Sequence, residues 1–194
     1  MQFRKLNFFQ VVIFLLVIFS SILYGFKSNQ DTAVYRANSG KVSFLSAAPL
    51  EKIKASSSKL YGVIDPSKRV FQFAVPISSF DGFNSPLQKE HFNENYLESQ
   101  KIPKAYFKGK IIEEVDLSKE GTYNIRAKGF LNIHGIEKEY IIKSKVNSVG
   151  NKINIESNFI VVLKDFGIKI PKVVNQKIAE EIAVNINIDM TIKQ

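Results

Sequence analysis

The stretch Gly121–Lys145, GTYNIRAKGFLNIHGIEKEYIIKSK, decides how the rest of the chain is read. Tyr123, Ile125, Ala127, Gly129, Leu131 and Ile133 alternate with Thr122, Asn124, Arg126, Lys128, Phe130 and Asn132. Successive side chains of an extended strand point to opposite sides, so this period of two gives one apolar face and one mostly wet face. His134-Gly135 interrupts the run, after which Tyr140, Ile142, Ser144 and Val146 resume against Lys143, Lys145 and Asn147. The spacing predicts a long β-hairpin with a short turn.

The same period recurs on both sides of the hairpin. Val42 and Phe44 share a face, as do Leu60, Gly62 and Ile64, then Phe71, Phe73, Val75 and Ile77, then Ala105, Phe107, Gly109 and Ile111. Beyond it come Ile153, Ile155, Ser157, Phe159, Val161 and Leu163, and finally Ile182, Val184, Ile186, Ile188, Met190 and Ile192. Asp65-Pro66-Ser67-Lys68 reads as a turn with Pro at its second position. Ser85-Pro86-Leu87-Gln88 breaks the pattern as a helix start, with Ser as N-cap and Pro at the first helical position. Phe92 and Tyr96 then fall four apart, so a helical insert runs to about Ser99. An all-β domain of about eight long antiparallel strands with one short helical insert is a barrel or a sandwich. Lys108, Lys110, Arg126, Lys128, Lys143 and Lys145 sit mid-strand on one face. That face belongs in water, so the apolar face lines the inside of a soluble barrel and not the outside of a membrane barrel. A barrel of this size holds either its own side chains or one small ligand.

Composition narrows the function. The chain has no cysteine, which excludes disulfides, thiol catalysis and Cys-based zinc sites. Its 27 Lys and Arg against 18 Asp and Glu give +9. The lysines are spread along strands and form no stripe, so no nucleic-acid partner is expected. Arg4 and Lys5 precede the apolar run Val11–Phe19, which continues to Phe26. Residues 1–26 therefore read as a signal peptide or an uncleaved membrane anchor. Residues 27–39 read as a polar linker and residues 40–194 as the domain. The expected location is the periplasm, secreted or anchored on the outer side of the cytoplasmic membrane.

Three stretches resemble the YceI-like family of exported bacterial lipid-binding proteins: His91–Ile111, Gly121–Tyr140 and Lys164–Ile170. The shared features are Ile102-Pro103 with Phe107, Gly121 with Tyr123 and Ile125, Ile133-His134-Gly135, and Asp165-Phe166-Gly167, in order across Gly40–Lys193. The resemblance implies a lipocalin-like antiparallel β-barrel of about eight strands, holding an isoprenoid or fatty-acyl lipid in an apolar pore. Two segments depart from the family pattern. Asn84–Glu90 lacks its Arg/Asp pair, and a longer apolar run, IKIPKVVNQKIAEEI, follows Gly167.

Candidate lining residues of such a pore are Phe44, Phe71, Phe73, Val75, Phe107, Tyr123, Ile125, Phe159 and Ile186, with Phe92, Tyr96, Phe166 and Ile168 at its mouth. A structural or interaction barrel with a filled core stays open as the alternative, as does a homodimer. Catalysis is not expected. The only histidines, His91 and His134, lack metal-ligand spacing, and His134 suits a turn role. Glu113 and Glu114 point to opposite faces of a strand. No kinase motif accompanies Asp165-Phe166-Gly167, and no nucleophile, base and orienter assemble. No cofactor or metal is expected.

Overall fold

The computed structural model describes residues 34–193. Ten strand segments follow one another: β1 (Val34–Ala37), β2 (Lys41–Ala47), β3 (Lys52–Ser57), β4 (Tyr61–Asp65), β5 (Val70–Pro76), β6 (Lys104–Ile111), β7 (Gly121–Ile133), β8 (Ile136–Val149), β9 (Lys152–Val162) and β10 (Glu181–Lys193). All neighbouring pairs are antiparallel, and β1 also pairs with β10, which closes the sheet on itself. The ten segments make eight staves. Tyr35 pairs with Ile64 and Val42 with Ser57 in one continuous register, so β1–β2 and β3–β4 are two interrupted strands lying side by side. β10 runs along both β1 and β2. The result is the closed eight-stranded antiparallel barrel that the pattern predicts.

The β7–β8 hairpin is the longest ladder, paired from Gly121–Ser148 to Ile133–Ile136. Its two-residue turn is His134-Gly135, both with positive φ (51° and 75°). That conformation matches the right-handed twist of the flanking strands, and Gly adopts it without a Cβ clash. On the other edge of β7, Gly129 faces Gly109 of β6. A Cβ on Gly109 would lie 2.1 Å from the Lys128 carbonyl oxygen, and one on Gly129 2.2 Å from that of Lys108. Two backbones can approach this closely only where neither carries a side chain, and this lets the wall bend.

Outside, charged residues cross-link the wall. Lys108 meets Glu137 at 2.9 Å and Lys128 meets Glu139 at 3.3 Å. Such exposed pairs are screened by water and contribute little to stability. Lys108, Lys128 and Lys145 are exposed and Ile125 is buried, as the alternation requires.

One boundary needs correction. The expected linker 27–39 contains β1, so the barrel starts no later than Val34. This four-residue strand has two inward side chains, Tyr35 and the small Ala37, and its polar flanks hide it from a periodicity search. β3 was masked similarly, since Ala55 and Ser57 are small inward residues. The expected signal or anchor, residues 1–26, lies outside the described residues. Among the described residues no helix is long and apolar enough to cross a membrane.

Candidate functional site

The interior divides along the barrel axis. At the end bearing the β4–β5, β6–β7 and β8–β9 connections, the core is filled. Leu117, from the β6–β7 connection, is 1% exposed and lies in one cluster with Tyr35, Val146, Ile153, Met190 and other apolar residues. Its carbonyl accepts hydrogen bonds from the Tyr35 hydroxyl (2.9 Å) and the Ser148 hydroxyl (2.8 Å). The plug therefore leaves neither hydroxyl unpaired in the dry core. Burial pushes the Tyr35 phenol above its ordinary pKa.

Above this plug the barrel is hollow. A cavity of about 530 Å³ runs to the opposite end, lined by Ile64, Phe71, Phe107, Ile111, Ile125, Ala127, Ile142, Ile155, Phe159, Ile186 and Ile188, among others. The lining follows directly from strand alternation, because every second residue of each stave must face inward. Phe71 and Phe107 pack with ring centres 4.8 Å apart on one side. The polar exceptions deep in the wall satisfy each other: Ser144 on β8 and Ser157 on β9 face across the ladder with hydroxyls 2.7 Å apart.

The second end is roofed by loops. The Ser85 hydroxyl accepts from the Gln88 amide (3.2 Å) and caps α1 (Pro86–His91), which continues as one wider turn through Phe92–Tyr96. Phe92 stacks on Phe44 at 5.5 Å, with Phe80 and Phe83 packed around them. Tyr96 also lines the cavity, and burial raises its phenol pKa. The β9–β10 connection supplies Leu163, Ile168, Val174, Lys177 and Ile178 to the lining. His91 and Lys177 line the cavity and are exposed, so it reaches solvent between α1 and the β9–β10 connection.

Part of the roof is clasped. β8 and β9 pair only from Ser144–Ser157 towards the plugged end. Beyond that rung the strands part, and the short helical segment Leu163–Phe166 packs against β8, with Phe166 beside the Tyr140 ring at 5.9 Å. His134 holds this arrangement. Its Nδ1 lies 3.2 Å from the Phe166 carbonyl oxygen and its Nε2 3.1 Å from a Glu98 carboxylate oxygen. Hydrogen bonds from Lys101 and His134 hold the Glu98 carboxyl below its ordinary value. The hairpin turn, the end of the helical insert and the β9–β10 connection thus meet at one imidazole.

Of the residues expected from sequence, Phe44, Phe71, Phe73, Val75, Phe92, Tyr96, Phe107, Ile125, Phe159, Ile168 and Ile186 all line the cavity. Two do not. Tyr123 packs at the filled end and donates to the Lys119 carbonyl (2.9 Å). Phe166 is fully buried in the second apolar cluster, where it closes the parted strands instead of lining the mouth. Alternation puts Tyr123 on the inner face but says nothing of its height along the barrel. Phe80, Phe83, Lys177 and Ile178 were not identified, since they lie on irregular connections without a period. Ser144 and Ser157 were on the predicted inner face, and that alternation was signal enough to find them. Glu113 and Glu114 are separately engaged, with Arg126 and Arg69.

Comparison with known proteins places this architecture. A model of the YceI-like domain matches residues 29–190. The chain is similar to a structure from Saccharophagus degradans described as a polyisoprenoid binding domain implicated in plant cell wall breakdown. The TM-score is 0.68 at 13% identity, covering 84% of this chain and 100% of that one. It is also similar to BcnA of Burkholderia cenocepacia (TM-score 0.64, 16% identity, 77% and 95% covered). A third likeness is the YCEI protein of Campylobacter jejuni (TM-score 0.54, 18% identity, 70% and 82% covered). The sequence matches no curated protein.

Proposed function

Because the chain belongs to the YceI-like domain family, we propose that it binds and carries a long-chain amphiphile, isoprenoid-like or fatty-acyl, in the barrel cavity, outside the cytoplasmic membrane. The cavity of about 530 Å³ carries this reading. A core filled by its own side chains would leave no such space, since protein interiors close-pack. The volume falls among those of small-molecule sites, and the apolar wall favours a chain over a polar ligand. Each methylene removed from water contributes about 0.8 kcal/mol. Ten of them give roughly 8 kcal/mol, within the range of about 4–15 kcal/mol lost on association. Short chains therefore bind weakly, and long ones bind without any specific polar contact. Location outside the membrane is supported by the basic and then apolar N-terminal sequence.

The test is direct. Solvent extraction of the purified protein followed by mass spectrometry should release a long-chain amphiphile. Ile125→Trp and Phe159→Trp put a larger ring into the cavity and should each weaken binding of a fluorescent lipid. Circular dichroism and thermal melting establish that the variants remain folded. Undiminished binding by folded variants overturns the proposal, as does a wild-type protein that neither releases nor takes up lipid.

A further inference from the structure

Three loops form the rim of the open end, and each presents an apolar side chain to water. Val173, 87% exposed, projects from the β9–β10 connection, Leu50, 67% exposed, from the β2–β3 turn, and Leu87, 56% exposed, from α1. Val173 and Leu50 are the most exposed large apolar residues in the described structure. The three loops are joined to one another. The Leu50 amide donates to the Gln176 carbonyl at 2.9 Å, and the Asn84 side chain, at the head of α1, donates to the Lys52 carbonyl at 3.0 Å. Gln88 also donates to Glu51. Leu50 is next to Glu51, Leu87 to Gln88 and Val173 to Val174, and all three of those neighbours line the cavity. The apolar tips therefore ring its mouth.

The rim also carries unpaired positive charge. The β9–β10 connection carries Lys169, Lys172 and Lys177, and among the described residues none has a carboxylate within 4 Å. On the α1 side Lys89 is paired with Asp81, and Glu90 and Glu94 are exposed, so the positive charge is concentrated on one side of the mouth. At the plugged end Lys68 is matched with Asp65, Arg69 with Glu114 and Lys119 with Asp116, while Lys152, near the exposed Val149, has no carboxylate within 4 Å among the described residues.

We propose that the open rim docks on an anionic lipid bilayer, with Leu50, Leu87 and Val173 entering the headgroup region and Lys169 and Lys172 facing anionic headgroups. Exposed apolar tips beside unpaired lysines fit that surface, which offers apolar chains beneath negative charge. Docking sets the cavity mouth against the bilayer, so a chain passes between them without crossing water. The transfer role rests on the lipid-carrier reading above. The docking itself does not.

The chain has no cysteine, so one introduced cysteine gives one labelled site. The full-length protein carrying an environment-sensitive fluorophore at Val173→Cys, Leu50→Cys or, at the plugged end, Lys119→Cys is added to vesicles. These contain phosphatidylcholine alone or with phosphatidylglycerol. The rim labels should shift to the blue with phosphatidylglycerol vesicles and much less with phosphatidylcholine, while the label at position 119 stays in water. Lys169→Ala with Lys172→Ala should weaken that docking about tenfold to thirtyfold. Equal shifts at both ends would overturn the proposal, because attachment would then have no orientation. Rim labels that stay in water, or that shift equally on both vesicle types, overturn it too. A shift that grows with protein concentration in the absence of vesicles would assign the rim to a second copy of the chain. Fluorescent-lipid binding in solution, measured on the same variants, separates the two ideas. Intact lipid binding without docking rejects only the rim, and docking without lipid binding rejects only the carrier.

Discussion

At one end of the barrel Leu117 is driven between the staves and held by two hydroxyls. At the other, Phe44, Phe80, Phe83 and Phe92 pack against one another around an open cavity. Both ends use the same inward alternation, so the difference comes from the connections. The β6–β7 connection sends a side chain into the barrel, and that end closes on a dry core. The β5–β6 and β9–β10 connections are long and lie across the opening, so that end is covered without being filled. Stability is therefore concentrated near the plug, and the open space lies near the roof.

Leu117→Ala probes this division most severely. It should lower stability by about 2–5 kcal/mol, the usual cost of emptying a packed site, and leave lipid affinity of the folded protein unchanged. Denaturant unfolding beside lipid titration measures both. Phe107→Ala should do the reverse. A packed Phe costs about 3–5 kcal/mol on truncation, and a ring that borders a cavity should cost less while changing which chain lengths bind. Equal destabilisation at the two positions would mean that the cavity end is packed after all. His134→Ala removes both arms of the clasp and should cost about 1–2 kcal/mol. Lipid exchange should quicken, while His134→Asn, which tolerates the left-handed turn, keeps the hairpin. Unchanged exchange rates in stopped-flow fluorescence would show the roof to be held by other contacts.

The clasp also responds to acid. The Glu98 carboxyl is held low by Lys101 and His134, so its folded value lies below its ordinary 4.5. A carboxyl depressed in this way contributes stability that is present above its ordinary value and lost as pH falls through the lowered one. The difference in melting temperature between wild type and Glu98→Gln should hold at neutral pH and vanish in acid below 4.5. Constancy of that difference across the acid range would remove Glu98 from the clasp. The smallest effect belongs to the wall. Lys128→Ala, on the wet face, should change stability by no more than about 0.5 kcal/mol.

How much of this was legible in the sequence depended on regularity. Tyr123–Val146 announced a hairpin because strands of thirteen and fourteen residues repeat the same alternation many times over. Ser85, Pro86 and Gln88 announced the helix because a cap has a fixed local chemistry. β1 gave no such signal, having only Tyr35 and the small Ala37 to show. The plug was also hidden, since Leu117 belongs to an irregular segment and its partners are far away in sequence. The parting of β8 and β9 was invisible for another reason. Tyr140 and Ile142, and Phe159 and Val161, keep alternating past Ser144 and Ser157. Alternation reports the face on which a side chain lies, and it is silent on whether the neighbouring backbone is within bonding reach.

That parting has a signature in the exchange of amide hydrogens with solvent. Between Ile136 and Lys143, β8 is bonded to β7 along one edge, with no ladder to β9 along the other. Amides alternate between the edges of a strand, so in deuterated water every second residue of this segment should exchange early and its neighbours late. From Ser144 onwards both edges are paired, and the stagger should disappear into uniform protection. β8 is then one continuous strand with two lifetimes, and the Ser144–Ser157 rung marks the point from which the barrel unzips.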